Sequence, residues 1–94
     1  MDEITHFTSS AGFEYELQDD ARDDLDIFEE LQKANAPEAS AFDQKAHFLA
    51  AFRILIGEEQ DRALRGYLKE KEGRVRTSSY FREASEVFAS FKKK

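Results

Sequence analysis

Leu55-Ile56-Gly57-Glu58-Glu59-Gln60, continuing through Leu64 and Leu68 to Gly73-Arg74-Val75, is the stretch whose reading decides the fold. An apolar helix end meets a glycine, acids open a second helix, and another glycine closes it. Gly57 stands where a left-handed C-cap belongs, a backbone region that glycine enters without a Cβ penalty. Glu58 and Glu59 place negative charge at a helix start, and Lys69 and Lys71 place positive charge near a helix end, as the macrodipole favours. A helix over 58–72 follows, with Ala63, Leu64, Tyr67 and Leu68 turned inward and Gly73 as its stop. The segment is scaffold: nothing in it has the chemistry to cut, transfer or coordinate.

Upstream, Phe42, Ala46, Leu49, Phe52 and Ile56 recur at three- and four-residue steps, and Phe48 and Leu55 widen the stripe. That spacing predicts a helix over 38–56 at the centre of the core. Asn35-Ala36-Pro37 ends an earlier helix, since proline cannot continue one but fits the first turn of the next. That earlier helix spans 19–34, with Leu25, Phe28 and Leu31 as its inward stripe and Asp19, Asp20 or Asp23 as its N-cap. Ahead of it, Ile4-Thr5-His6-Phe7-Thr8 and Phe13-Glu14-Tyr15-Glu16-Leu17 are β-formers separated by Ser9-Ser10-Ala11-Gly12, which predicts a hairpin within 1–17. Phe13, Tyr15 and Leu17 share one face of it. Two strands alone are marginal in water, so that face must pack on a helix or pair with another chain. Downstream, Arg74-Val75-Arg76 is an extended exit, and Thr77-Ser78-Ser79 offers three N-caps for a last helix over 78–91. A frayed tail, 92–94, follows. The expected architecture is one α+β domain, mainly α: an N-terminal β-hairpin packed on about four helices.

The chain has 94 residues, no cysteine and a net charge of −6. Nine Phe and three Tyr give this short chain apolar area that its length would otherwise deny it. The absence of cysteine excludes a disulfide framework and a thiolate metal site, and fits a reducing compartment. No apolar run approaches the ~18 residues that cross a bilayer. Met1-Asp2-Glu3 is acidic where a signal peptide is basic. A cytoplasmic location is expected.

The charge is split along the chain. Residues 1–30 hold eleven acids against Arg22, residues 31–72 hold seven of each sign, and residues 73–94 hold six bases against Glu83 and Glu86. The acidic head and basic tail either attract one another inside one fold or meet between copies or partners. An acidic chain with a pI near 4.9 is not built for nucleic acid.

Catalytic and metal chemistry find no purchase. Asp19, Asp20, Asp23, Asp24 and Asp26 lack the alternating spacing and central glycine of a calcium loop. Glu58 and Glu59 are helix neighbours and point apart. His6 and His47 lie on different elements, with His47 beside the apolar stripe as a half-buried packing residue. No nucleophile elbow or phosphate-cradling loop is present. The expectation is a protein without enzymatic activity, cofactor or metal.

The aromatic surplus is the remaining feature. Tyr80, Phe81, Ala84, Val87, Phe88 and Phe91 are too many for one narrow stripe, and Ile54 lies off the main stripe of the longest helix. Two readings stand open: a core that wraps the last helix on two sides, or an exposed apolar contact surface. Under the second, the partner-binding candidates are Ile54, Arg74, Arg76, Tyr80, Phe81, Arg82, Phe88 and Phe91, because aromatics and arginine dominate interface hot spots.

Read as a whole, the chain resembles the small tail assembly chaperones of long-tailed phages and prophages of Gram-positive bacteria. The resemblance rests on Leu25-Asp26-Ile27-Phe28-Glu29-Glu30-Leu31, then Leu55-Ile56-Gly57-Glu58-Glu59-Gln60, Ala63-Leu64-Arg65-Gly66-Tyr67-Leu68 and Glu72-Gly73-Arg74-Val75, in that order and spacing across residues 13–91. Gly66 and the phenylalanine-rich segment 42–52 depart from the pattern. The resemblance implies a non-catalytic cytoplasmic chaperone, absent from the mature virion, that binds the tape-measure protein and recruits tail-tube subunits. It also implies a longer form made by ribosomal frameshifting, for which adenine-rich codons at Lys92-Lys93-Lys94 would serve. No membrane or nucleic-acid partner is implied, and the split charge would let copies associate head to tail. The alternative is a small acidic adaptor, DNA-mimic or antitoxin-like, that blocks a basic partner.

Overall fold

The computed structural model describes residues 3–92, in the order β1 (Ile4–Thr8), β2 (Glu14–Gln18), a 3₁₀ turn (Asp19–Asp23), α1 (Leu25–Ala34), α2 (Ala41–Glu72) and α3 (Thr77–Lys92). Residues 1–2 of the expected hairpin and 93–94 of the expected tail lie outside the described residues. The hairpin is antiparallel, with Ile4 opposite Gln18 and Thr8 opposite Glu14. The remaining elements are helical, and among the described residues the α-helices number three rather than four.

The difference in count arises at Gly57. Its backbone sits at φ 84° and ψ 163°, inside the otherwise helical span of α2. The glycine breaks the helix as its position predicts, but its ψ lies far outside the left-handed region expected of a C-cap, and Glu58 resumes the next turn without a loop. The two expected helices are therefore two limbs of one bent element. The bend keeps the element compact: 32 residues of straight helix would run about 48 Å, whereas the molecule extends 37, 36 and 22 Å along its principal axes. A sharp change of direction folds the second limb back along the hairpin.

The start of each helix also differs from expectation. Residues 19–23 tighten into the 3₁₀ turn, so Asp24, with extended backbone, becomes the N-cap of α1 and accepts from the Ile27 amide at 3.1 Å. Ser40 caps α2 and accepts from Asp43 N at 3.0 Å, which leaves 38–40 in the preceding turn. Thr77, Ser78 and Ser79 lie inside the first turn of α3 instead of capping it. The Arg76 carbonyl accepts its first helical bond from Tyr80 N, and Ser79 Oγ donates to Glu72 at 2.8 Å.

The core joins β2, both limbs of α2 and α3. Tyr15, Leu17, Phe52, Leu55, Ile56, Leu64, Leu68, Tyr80, Ala84, Val87, Phe88 and Phe91 are buried together, with Ile27 from α1. Phe52 is the hinge of this cluster, with its ring 6.2 Å from Tyr15 and 5.4 Å from Tyr80. Phe13 and Phe7 add partly buried rings from the hairpin. The hairpin's apolar face is thus satisfied within the chain.

Two inward stripes are placed differently from expectation. In α1 the buried residue is Ile27, whereas Leu25 and Phe28 are 66% and 57% exposed. In α2 the first turns project past the core, and Phe42 is 80% exposed and Ala46 exposed too. Ala63 is likewise at the surface, beside buried Leu64. The ten residues of α1 leave those first turns of α2 with only a short neighbour.

Polar contacts pin the hairpin to the helices. Gln60 donates to the Glu16 carbonyl at 2.9 Å and accepts from the Glu16 amide at 2.7 Å, so its amide occupies the outer edge of β2. The same Gln60 nitrogen donates to the Ile56 carbonyl at the Gly57 break. Tyr67 Oη and Lys71 Nζ both donate to the Ala11 carbonyl. Gly12, at φ 97°, has no room for a Cβ, which would come within 2.9 Å of Tyr67 Oη.

Candidate functional site

The seam between α1 and α3 forms an apolar concavity. It is a groove of about 410 Å³, floored by Ile27, Leu31, Leu55, Phe88 and Phe91, with Phe28 standing at its lip. Its construction follows from local sequence. Ile27 and Leu31, four residues apart, turn to the floor, so Phe28 must project at the rim and Leu25 beyond it. A smaller depression of about 260 Å³, between Ala34, Asn35, Phe48 and Phe81, continues the seam toward the other end of α1. The Phe48 ring lies 5.1 Å from Phe88 and 5.2 Å from Phe81, so one ring supports both segments.

Arg22 closes the end nearest the 3₁₀ turn. Its guanidinium lies 4.1 Å above the Phe91 ring, and Nη2 donates to the Phe91 carbonyl at 2.6 Å. Nη1 is 3.9 Å from Asp19. Arg22, a base within the acidic head, thereby reaches the end of α3 within one chain. His47 Nδ1 is 2.7 Å from Glu30 Oε1 and ties α1 to α2. That hydrogen bond holds the Glu30 carboxyl below the usual carboxylate range.

Two larger hollows carry acidic side chains. One, of about 650 Å³, runs along β2 beside the Gly57 bend and carries Glu14, Glu16, Glu58 and Glu59; the other, of about 500 Å³, carries Asp20, Asp23 and Asp24. Among the described residues no group of three His, Asp or Glu side chains is arranged to hold a metal ion. Among them also, no helix is long and apolar enough to cross a membrane.

The residues singled out from sequence are scattered. Tyr80, Phe88 and Phe91 are buried, so as surface contacts they are withdrawn, although the last two form part of the groove floor. The last helix carries too many aromatics for one stripe because the core wraps it on two sides. Phe81 is half-buried under Phe48 and Lys45. Ile54 is 40% exposed, in the first limb of α2, beside Arg53 and the Asp20–Asp24 hollow. Arg74 and Arg76 lie at the exposed turn before α3, where Arg76 approaches Glu72 at 3.7 Å, and Arg82 is exposed on α3.

Sequence reasoning missed Phe28 and Leu25 as surface residues. The signal was present: Leu25, Ile27, Phe28 and Leu31 span too wide an arc for one buried stripe, and Ile27 with Leu31 makes the alternative pair. Compared with known proteins, the chain matches no family model, no curated protein and no solved structure.

Proposed function

We propose that the chain is a non-catalytic tail assembly chaperone of a long-tailed phage, acting in the host cytoplasm on the tape-measure protein and tail-tube subunits. The observation that carries the reading is the open apolar groove between α1 and α3, with Phe28 exposed at its lip. A groove beside one ten-residue helix is about 15 Å long and accepts roughly three turns of an amphipathic helix. Residues 19–34 carry seven acids against Arg22 and Lys33. The helix it suits best therefore has an apolar stripe flanked by lysine or arginine.

The test is co-expression with a candidate tape-measure protein, followed by size-exclusion chromatography with light scattering. The expected result is a soluble complex that Phe28→Asp abolishes. Because Phe28 is mostly exposed, that substitution should leave stability within about 0.5 kcal/mol. A tape-measure protein equally insoluble with and without this chain would refute the proposal.

A second reading, an acidic adaptor for a basic partner, draws on the exposed Asp20, Asp23, Asp26 and Glu29. A complex that Phe28→Asp leaves intact but moderate salt dissolves would favour it.

A further inference from the structure

The hairpin has two edges, and they are treated differently. On β2 the outward backbone groups of Glu16 are held by the Gln60 amide. On β1 the rungs to β2 fall at odd positions: Ser9 N donates to the Phe13 carbonyl, Asp19 N donates to the Glu3 carbonyl, and Thr5 and Phe7 face Leu17 and Tyr15 between them. Antiparallel rungs alternate, so the N–H and C=O groups of Ile4, His6 and Thr8 point away from β2. No described residue satisfies them, and these three residues are exposed. β2, not β1, is the strand that packs on α2.

Natural sheets guard such an edge with lysine, proline, an inward charge or a bulge. β1 has none of these: Ile4-Thr5-His6-Phe7-Thr8 contains no Asp, Glu, Lys, Arg or Pro, and its pairing is unbroken. We propose that β1 is a self-association edge, through which two copies of this chain pair antiparallel about a two-fold axis at His6 to form a four-stranded sheet.

The register makes a second copy the fitting occupant. The outward groups at Ile4, His6 and Thr8 are symmetric about His6. Antiparallel self-pairing therefore sets Ile4 opposite the partner copy's Thr8 and His6 opposite its own equivalent, with every outward N–H and C=O matched. No like charges are brought face to face, since Glu3 falls opposite a serine, Ser9, of the other copy. On the core side, Phe7 is half-buried, and the two Phe7 rings become diagonal neighbours about 7–8 Å apart, within reach of each other. The edge is short, so the interface should fall below about 1,200 Å² and give a weak, concentration-dependent dimer. The groove between α1 and α3 is not involved, and the two contacts are independent.

The test is sedimentation equilibrium of the full chain from micromolar concentration to about 1 mM, with His6→Pro and His6→Lys beside the wild type. His6→Pro removes an N–H that points outward, so it spares the ladder within the hairpin. His6→Lys sets two like charges across the axis. The wild type should dimerise, and each variant should weaken the dimer at least about tenfold. Circular dichroism should show the fold kept, and if proline disturbs the hairpin the lysine variant still decides. In a half-labelled sample, an intermolecular cross-peak should join the α-protons of Thr5 and Phe7, which form a close pair in this register. A wild type that stays monomeric throughout, or a dimer unaffected by His6→Lys, would overturn the proposal.

Discussion

Gly57→Ala should destabilise this protein, and Gly66→Ala, nine residues later in the same helix, should stabilise it. Gly57 lies at φ 84° and ψ 163°, a region that is essentially glycine's alone and costs another residue about 1–3 kcal/mol. A Cβ at Gly57 meets nothing within 4 Å, so the cost is backbone strain without a clash. Alanine also narrows the unfolded ensemble, which returns about 0.4–1 kcal/mol. The net loss should be about 1–2 kcal/mol. The chain has one escape, which is to straighten α2 through position 57. That would swing the second limb off the hairpin and expose Leu64 and Leu68, both fully buried, at about 1.5–3 kcal/mol each. The strain is the smaller cost, so the bend should persist. Gly66 is helical and exposed, with open space around it, so alanine there should gain up to about 1 kcal/mol of helix propensity. Urea unfolding followed by circular dichroism at 222 nm measures both. For a chain of this size the two variants should differ in Tm by roughly 8–20 °C. Equal gains at the two positions would refute the reasoning, because they would mean that α2 runs straight.

Glu83 is fully buried, accepts from Tyr15 Oη at 2.8 Å through one oxygen, and has no described partner for the other. Tyr15→Phe should therefore cost about 2–3 kcal/mol by leaving a buried carboxyl group unpartnered, while Tyr15→Phe with Glu83→Met should recover most of the loss; additive losses in that cycle would disprove the coupling. Glu86 accepts from Ser10 Oγ and Ser10 N, bonds that hold its carboxyl below the usual range. A depressed folded value contributes stability above the unfolded carboxylate range and loses it as pH falls through the folded value. Urea midpoints measured from pH 7 to pH 3 should thus fall more steeply for the wild type than for Glu86→Gln, and parallel curves would exclude the contact. Tyr80 donates to Asp61, and burial with that bond pushes its hydroxyl up to about 12. Its stabilisation is present below the unfolded value near 10 and should be lost as pH rises toward 12, a dependence that Tyr80→Phe should abolish in alkaline unfolding scans.

Elements fixed by local backbone rules could be read from the sequence. The hairpin strands follow from β-formers around a serine-glycine turn, the ends of the α2 limbs follow from Gly57 and Gly73, and Pro37 separates α1 from α2. Each is dictated by a few neighbouring residues and needs no partner to define it. Helix starts were less legible: Asp19, Asp20 or Asp23 was the expected cap of α1, and the cap is Asp24. Only the 3₁₀ turn, drawn tight by Arg22 reaching the end of α3, selects Asp24.

The sequence by itself determined that glycines interrupt the helical runs at Gly57 and Gly73 and that the last helix is rich in aromatics. Tertiary structure alone decided which apolar residues face solvent. The inward stripe of a helix depends on what lies opposite: α1 turns Ile27 to the core because α2 and α3 are there, and that rotation delivers Phe28 to the rim of the groove. The same holds for β1, whose uncovered edge is invisible in five uncharged residues until Gln60 is seen to occupy the other strand. A periodicity names the residues able to be buried; the surface that buries them belongs to elements far away in the chain, and only their packing assigns it.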